Sequence, residues 1–233
     1  MNPTIISGLE RNRQVKDYIC RHFGDESEVT RHALQRSEEA GLKPIQVPVS
    51  VAKTLSMIAK LTRPKTILEI GTLGGYSALW LIQGMVQGGR LTTIECEEKH
   101  VAVAKANFAF AGVEDQIEIR QGLALDVLDE MIEREEGPFD LIFIDGDKRE
   151  YPDYLKRILK LAQPKAVILS DNMIPKRGEI GCPDPRDLEA MAIYLFNQML
   201  ADHPALETIP LTTIVGENGR IDSTGLTIVR GVE

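Results

Sequence analysis

The segment FDLIFIDGDKREY, residues 139 to 151, runs from the apolar residues Leu141 to Ile144 straight into Asp145, Gly146, Asp147 and Lys148. Two carboxylates and an ammonium at the end of a buried strand are the groups that supply hard oxygen ligands and a proton acceptor. A solvated turn uses the same residues with no such task. A second run, KAVILSDN, ends in Asp171 and Asn172, which alone would make a turn or a helix cap. A third group, EIGTLGGYS, starts at Glu69. Gly71 there permits a tight turn or a close ligand approach, and Gly74 and Gly75 free the backbone further. Glu95 ends the next apolar run, 24 residues past Gly71, where an acid commonly grips ribose hydroxyls. The glycines do not fit G-x-G-x-x-G, because Leu73 takes the second glycine position. A pyrophosphate needs that close approach, and Glu69 would repel it. A cationic sulfonium ligand such as S-adenosylmethionine suits both features.

These residues need elements to position them. Apolar spacing predicts helices over 9 to 41, interrupted at Gly24, and over about 48 to 61. An alternation follows. Strands are expected at 66–71, 90–95, 116–121, 139–145 and 165–172. Helices are expected at YSALWLIQGM, KHVAVAKANFAFAG, LDVLDEMIERE and YPDYLKRILKLA. A last helix from about Pro185 to Asp202 precedes two closing strands, LETIPL and TGLTIVR. Strands alternating with helices imply β-α-β units and an open, doubly wound α/β sheet. In such a sheet ligands bind at the carboxyl ends of strands, where all the groups above fall. One domain is expected over 1–233, with a helical segment at 1–45 and a Rossmann-like core at 46–233. Trp80, Phe108 and Phe110 read as core, Tyr151 and Tyr154 as packing beneath the rim, and the four histidines as surface residues.

The chain has 233 residues, 43% hydrophobic and 27% charged, enough for one large core. A net charge of -8 would repel a phosphate backbone, so no nucleic-acid partner is expected. No run approaches the ~20 apolar residues of a membrane span. The opening stretch MNPTIISGLERNRQ lacks the pattern of a secretory signal. Cys20, Cys96 and Cys182 are few and widely spaced, as expected of reduced thiols in a cytoplasmic protein.

Taken together, EIGTLGGYS, the Ile94-Glu95 pair, FIDGDKREY and SDN at 170–172 resemble the cation-dependent O-methyltransferases. That family includes catechol O-methyltransferase, the caffeoyl-CoA O-methyltransferases and bacterial relatives. The likeness covers roughly residue 45 to the end. It implies that Glu69, Gly71, Gly75, Tyr76 and Ser77 contact S-adenosylmethionine, that Glu95 binds its ribose, and that Val47, Ala124 and Asp145 lie against it. It implies a divalent cation, Mg²⁺, Mn²⁺ or Ca²⁺, on Asp145, Asp171 and Asn172, with Lys148 as catalytic base. The chain departs from the family pattern at Val51-Ala52, where Glu-Gly is frequent, and at Ala124, where an adenine-contacting Ser is frequent. Asn197 matches a polar family position facing the pocket, and the loop from Met173 to Asp187 should shape the acceptor site.

The implied activity is methylation of a hydroxyl on a small phenolic or catechol-like molecule by a homodimer. Oxygen-only ligands argue against zinc. An N-methyltransferase, an NAD-dependent dehydrogenase and a non-catalytic binding module are the competing readings. The first is disfavoured by IDGDKREY and the second by Leu73 and Glu69, while the intact acid, base and metal set speaks against the third.

Overall fold

The computed structural model describes residues 7–230. The opening six residues of the N-terminal segment and the last three of the chain lie outside them. Five strands run parallel: β1 Thr66–Ile70, β2 Arg90–Glu95, β3 Ile117–Gln121, β4 Phe139–Ile144 and β5 Ala162–Ser170. Two longer strands close the sheet, β6 Leu206–Val215 and β7 Arg220–Val229. The order is β3-β2-β1-β4-β5-β7-β6, with β7 antiparallel to both its neighbours.

Period-two alternation splits the core into two layers. Ile67, Leu91, Leu141, Phe143 and Leu169 face one side, while Leu68, Ile70, Ile94, Ile142, Ile144 and Ile168 face the other. The first layer packs under α3 Val49–Thr62, α4 Tyr76–Leu81 and α5 Glu98–Ala111. The second packs under α6 Ala124–Glu133, α7 Tyr151–Leu161 and α8 Leu188–Asp202. Both faces are covered, so the strands read as unbroken apolar runs.

The N-terminal segment forms α1 Gly8–Phe23 and α2 Glu28–Glu39, capped by Ser7 and Ser27. Gly24 separates them, as the sequence suggests. Helix α1 buries no residue. It rests on the turn between β6 and β7, with Asn12 Nδ2 donating to the Gly219 carbonyl at 3.0 Å and Lys16 Nζ to that of Gly216 at 3.0 Å.

Several boundaries differ from expectation for identifiable reasons. Helix α4 stops at Leu81 and tightens into a 3₁₀ turn over Ile82–Gly84, because Gly84 lies directly on the backbone of Ala59 and Lys60 in α3. Helix α8 begins at Leu188, since the Asp187 side chain caps it by accepting from Ala190 N at 3.1 Å. Strands β6 and β7 gain several residues each by pairing along their whole length. Phe110 is no core residue: it is 46% exposed and stacks on His32 with ring centroids 3.6 Å apart. Trp80, Phe108, Tyr151 and Tyr154 are buried as expected.

The chain leaves β1 beside the chain leaving β4. Gly71 has φ 97, and a Cβ there would overlap the Asp145 carbonyl oxygen and lie 2.8 Å from its carbon. Both neighbours are backbone and cannot swing aside. Gly71→Ala should therefore cost at least about 2 kcal/mol, combining left-handed strain with overpacking. A denaturant midpoint equal to that of the unsubstituted chain would contradict this.

Candidate active site

A cavity of about 680 Å³ opens along the carboxyl ends of β1 to β5. Its size suits a cofactor-sized ligand. Of the residues singled out from sequence, Val47, Gly71, Tyr76, Ser77, Glu95, Ala124, Asp145, Lys148 and Asn172 line it. Glu69, Gly75 and Asp171 lie behind its wall.

Glu69 sits in mid-sheet with no exposure. Its two oxygens accept from Ser77 Oγ and Thr93 Oγ1, each at 2.6 Å. It therefore reaches the cavity through Ser77. Burial drives its pKa up to about 7, against the two hydroxyl hydrogen bonds. Gly75, at φ 82, lets α4 start against the ring of Phe108, where any Cβ would collide. Tyr76 Oη donates to Glu26 Oε1 at 2.6 Å and so ties the loop before α2 to the cavity wall.

Glu95 is held before any ligand arrives. Its Oε2 accepts from Leu73 N at 2.8 Å and its Oε1 from Glu97 N at 3.0 Å. His100 Nδ1 stands 3.3 Å from Oε1 and lines the cavity too. Sequence reasoning assigned His100 to the surface. Its place becomes visible only once α5 is known to start at Glu98, which folds the imidazole back onto the end of β2.

At the other end of the cavity, Lys148 Nζ donates to Asp145 Oδ1 at 2.5 Å and to the Gly146 carbonyl at 3.1 Å. Burial pulls the Lys148 pKa down, but the Asp145 carboxylate outweighs it and the net direction is up. Lys148 is thus an ammonium in this arrangement. Asp147 lines the cavity and caps the following 3₁₀ turn by accepting from Arg149 N at 3.0 Å. Asn197 Nδ2 donates to the Met173 carbonyl at 2.8 Å. The three cysteines are free thiols, and Cys96 lies on the cavity wall.

Among the described residues, no three His, Cys, Asp or Glu side chains gather closely enough to hold a metal ion. The candidate set is two carboxylates and one amide, and its charge balance fits a cation. The Asp222 charge acts on both Asp145 and Asp171, and the Asp145 charge acts on Asp171. Lys148 pairs with Asp145, and Arg220 Nη2 with Asp222 at 2.6 Å. No described lysine or arginine forms an ion pair with the buried Asp171, whose Oδ1 accepts from Thr224 Oγ1 at 3.2 Å. Burial and then the Asp145 charge raise the Asp171 pKa. The Lys148 ammonium, paired to Asp145, offsets only part of this; a buried carboxylate with no ion pair of its own is costly, and a bound cation would relieve it.

The model of a family described as O-methyltransferase matches residues 22–218. The chain belongs to that family. A catechol O-methyltransferase of Niastella koreensis is 37% identical over 200 residues, covering 86% of this chain and 90% of the relative. The O-methyltransferase of Bacillus cereus, solved in complex with SAH, superposes with a TM-score of 0.88 at 35% identity, covering 95% of this chain and 100% of that one. The Streptomyces achromogenes O-methyltransferase TomG, solved with SAM, gives 0.87 at 34% identity over 97% and 100%. Family membership displaces the dehydrogenase and binding-module readings of the sequence. No described helix is long and apolar enough to cross a membrane.

Glu69 makes the stability of the fold depend on pH. Its folded pKa, about 7, stands above the usual 4.5. The folded chain then binds a proton that the unfolded chain has lost, so stability falls as pH rises through that window. Glu69→Gln has no such proton. The stability of the original chain relative to this variant should therefore drop by about 3 kcal/mol between pH 4.5 and 8. Parallel melting curves for the two proteins across that range would show the assignment to be wrong.

Proposed function

We propose that this O-methyltransferase takes the methyl group of S-adenosylmethionine and passes it to a hydroxyl of a small phenolic, catechol-like acceptor, with a divalent cation at the acceptor end. One observation carries this reading: the glycine turn with Glu95 and the Asp145–Lys148 pair open into the same cavity.

Each residue has a part. Glu95, with its orientation already set by Leu73 N and Glu97 N, offers its remaining acceptor capacity to ribose hydroxyls. Gly71, Tyr76 and Ser77 bring backbone and hydroxyl groups to the methionyl end, while Val47 and Ala124 supply apolar wall. A divalent cation held by Asp145, Asp171 and Asn172 would act as a Lewis acid on the acceptor and orient both oxygens of a vicinal diol. Burial favours the neutral amine of Lys148 and the Asp145 carboxylate is the main pull against it; sharing Asp145 with a cation would weaken that pull, and Nζ would then be placed to take the hydroxyl proton. The acceptor oxygen forms its bond to the methyl carbon as the carbon–sulfur bond breaks, leaving a neutral thioether.

The two halves of the site should fail separately. EDTA should abolish methyl transfer to a catechol while leaving S-adenosylmethionine binding intact by calorimetry, and Mg²⁺ or Mn²⁺ should restore turnover. Glu95→Ala should instead weaken cofactor binding tenfold or more, as the loss of a hydrogen bond to a charged group of ~1.5–3 kcal/mol requires. Full turnover in EDTA with metal content near zero would remove the cation from the mechanism and leave the cofactor assignment standing.

The setting we propose is a homodimer in a reducing cytoplasm, where three free thiols persist. The exposed Leu9, Tyr18 and Phe23 of α1 support self-association. Light scattering should give twice the chain mass, and a 25.9 kDa species at micromolar concentration would refute the dimer.

A further inference from the structure

Asp222, on β7, takes no part in the reaction outlined above, yet it bonds four groups at the edge of the site. It is 1% exposed. Its Oδ2 accepts from Asn172 Nδ2 at 3.0 Å and from Arg220 Nη2 at 2.6 Å. Its Oδ1 accepts from Ile174 N at 3.2 Å and from Ser223 N at 2.8 Å. All four partners donate, because a carboxylate can only accept. This settles which end of the Asn172 amide faces Asp222. The nitrogen is committed there, and the oxygen is the atom left for another ligand. A cation can use only that oxygen.

The backbone needs the same support. Asn172 has φ 56, in the left-handed region, which asparagine enters more readily than most residues and in which its surroundings hold it here. Four hydrogen bonds do so. Asp222 grips both the Asn172 side chain and the N–H of Ile174, two residues on. Met173 N donates to the Ser223 carbonyl at 3.0 Å, and Asn197 Nδ2 donates to the Met173 carbonyl at 2.8 Å. Among the described residues, Asp222 alone hydrogen-bonds the Asn172 side chain.

We propose that Asp222 is a positioning residue for the cation site, holding the Asn172 amide so that its oxygen is the atom offered to the metal. The inference rests on the cation reading under Proposed function. Burial raises the pKa of both Asp145 and Asp171, and the negative charge of Asp222 adds to that rise. Charge and orientation therefore have to be separated by experiment.

Two variants of the full chain do so. Asp222→Asn removes the charge and turns one acceptor oxygen into a donor, so the Asn172 and Ile174 hydrogen bonds cannot both survive. Asp222→Glu keeps the charge but carries the carboxylate one methylene further. Mn²⁺ affinity is read by the loss of the free-ion electron paramagnetic resonance signal, and SAH affinity by calorimetry. Both variants should bind Mn²⁺ roughly 10- to 100-fold more weakly, the range for groups that orient metal ligands. SAH affinity should stay within about twofold, as expected of a residue that acts on the cation alone. Wild-type Mn²⁺ affinity in Asp222→Glu with a loss in Asp222→Asn would reduce the effect to charge and overturn the proposal. Joint loss of Mn²⁺ and SAH binding would assign Asp222 a general structural role and overturn it too. Unchanged Mn²⁺ affinity in both variants refutes the role of Asp222 while leaving the cation site intact. Absence of Mn²⁺ binding by the unsubstituted chain refutes the cation reading itself, and this inference with it.

Discussion

At the carboxyl edge of the sheet, the backbone ladder runs one rung past the strands. Gly71 N donates to the Ile94 carbonyl at 3.0 Å, and Asp145 N to that of Ile70 at 2.8 Å. Asp171 N donates to the Ile144 carbonyl and Gly122 N to that of Glu95, each at 3.0 Å. The first residue after each of these strands is thus pinned to the last or last-but-one carbonyl of its neighbour. Tyr151 Oη adds a further tie, reaching the carbonyls of both Ile144 and Asp171. Loops that leave a sheet normally gain freedom at once, but here they leave from fixed points. Between β1 and β4, where the order of the strands reverses direction, the fit is so close that only glycine is tolerated at position 71. The glycine turn and the acidic strand end become neighbours by backbone geometry, before any side chain contributes.

That edge then gathers charge a core would reject. The buried carboxylates Asp145 and Asp171 both lie within reach of the Asp222 charge, with Lys148 paired to Asp145 and Arg220 to Asp222. Buried ion pairs rarely improve on apolar packing, and a carboxylate left without a partner is destabilising. Such an arrangement makes sense as a site in which part of the charge is completed on binding. The two apolar layers supply the stability that this edge gives up. Ile142, Phe143, Ile144, Ile168 and Leu169, the residues just behind the acids, are all fully buried.

Much of this was legible in the sequence, for a physical reason. Parallel strands covered on both faces read as apolar runs, and the residues that end them mark the ligand-binding edge. Glu69, Glu95, Asp145, Asp171 and Asn172 were singled out that way, and all five stand at the carboxyl ends of their strands or just past them. The structure adds what depends on pairing. Glu69 looks like a rim residue by position, but the alternation of β1 turns its carboxylate inward to Ser77 and Thr93. Asp222 was hidden because ENGRIDS reads as a polar loop. It is a strand only because β7 pairs with β6 from Arg220 onward. Phe110 followed the helical spacing of core residues, yet α5 turns it toward His32 at the surface.

The same pairing explains why the glycine turn suits a sulfonium better than a pyrophosphate. A pyrophosphate site needs free N–H groups at the start of a helix and glycine where the chain approaches the anion. Here Leu73, at φ 48, gives its N–H to Glu95, and Gly75 N is spent on the Thr72 carbonyl at 2.8 Å. Two of the donors that could have cradled phosphate are already used. In their place the turn presents Glu95 at one side and, beneath Ser77, the carboxyl of Glu69. A positive ligand above that carboxyl would hold it ionised, lowering a pKa that burial has raised. On the proposed cofactor reading, the departure from G-x-G-x-x-G at Leu73 is part of the specificity. It would convert a socket for anions into one whose nearest fixed charge is negative, by spending a backbone N–H on Glu95, the acid proposed to receive the ribose.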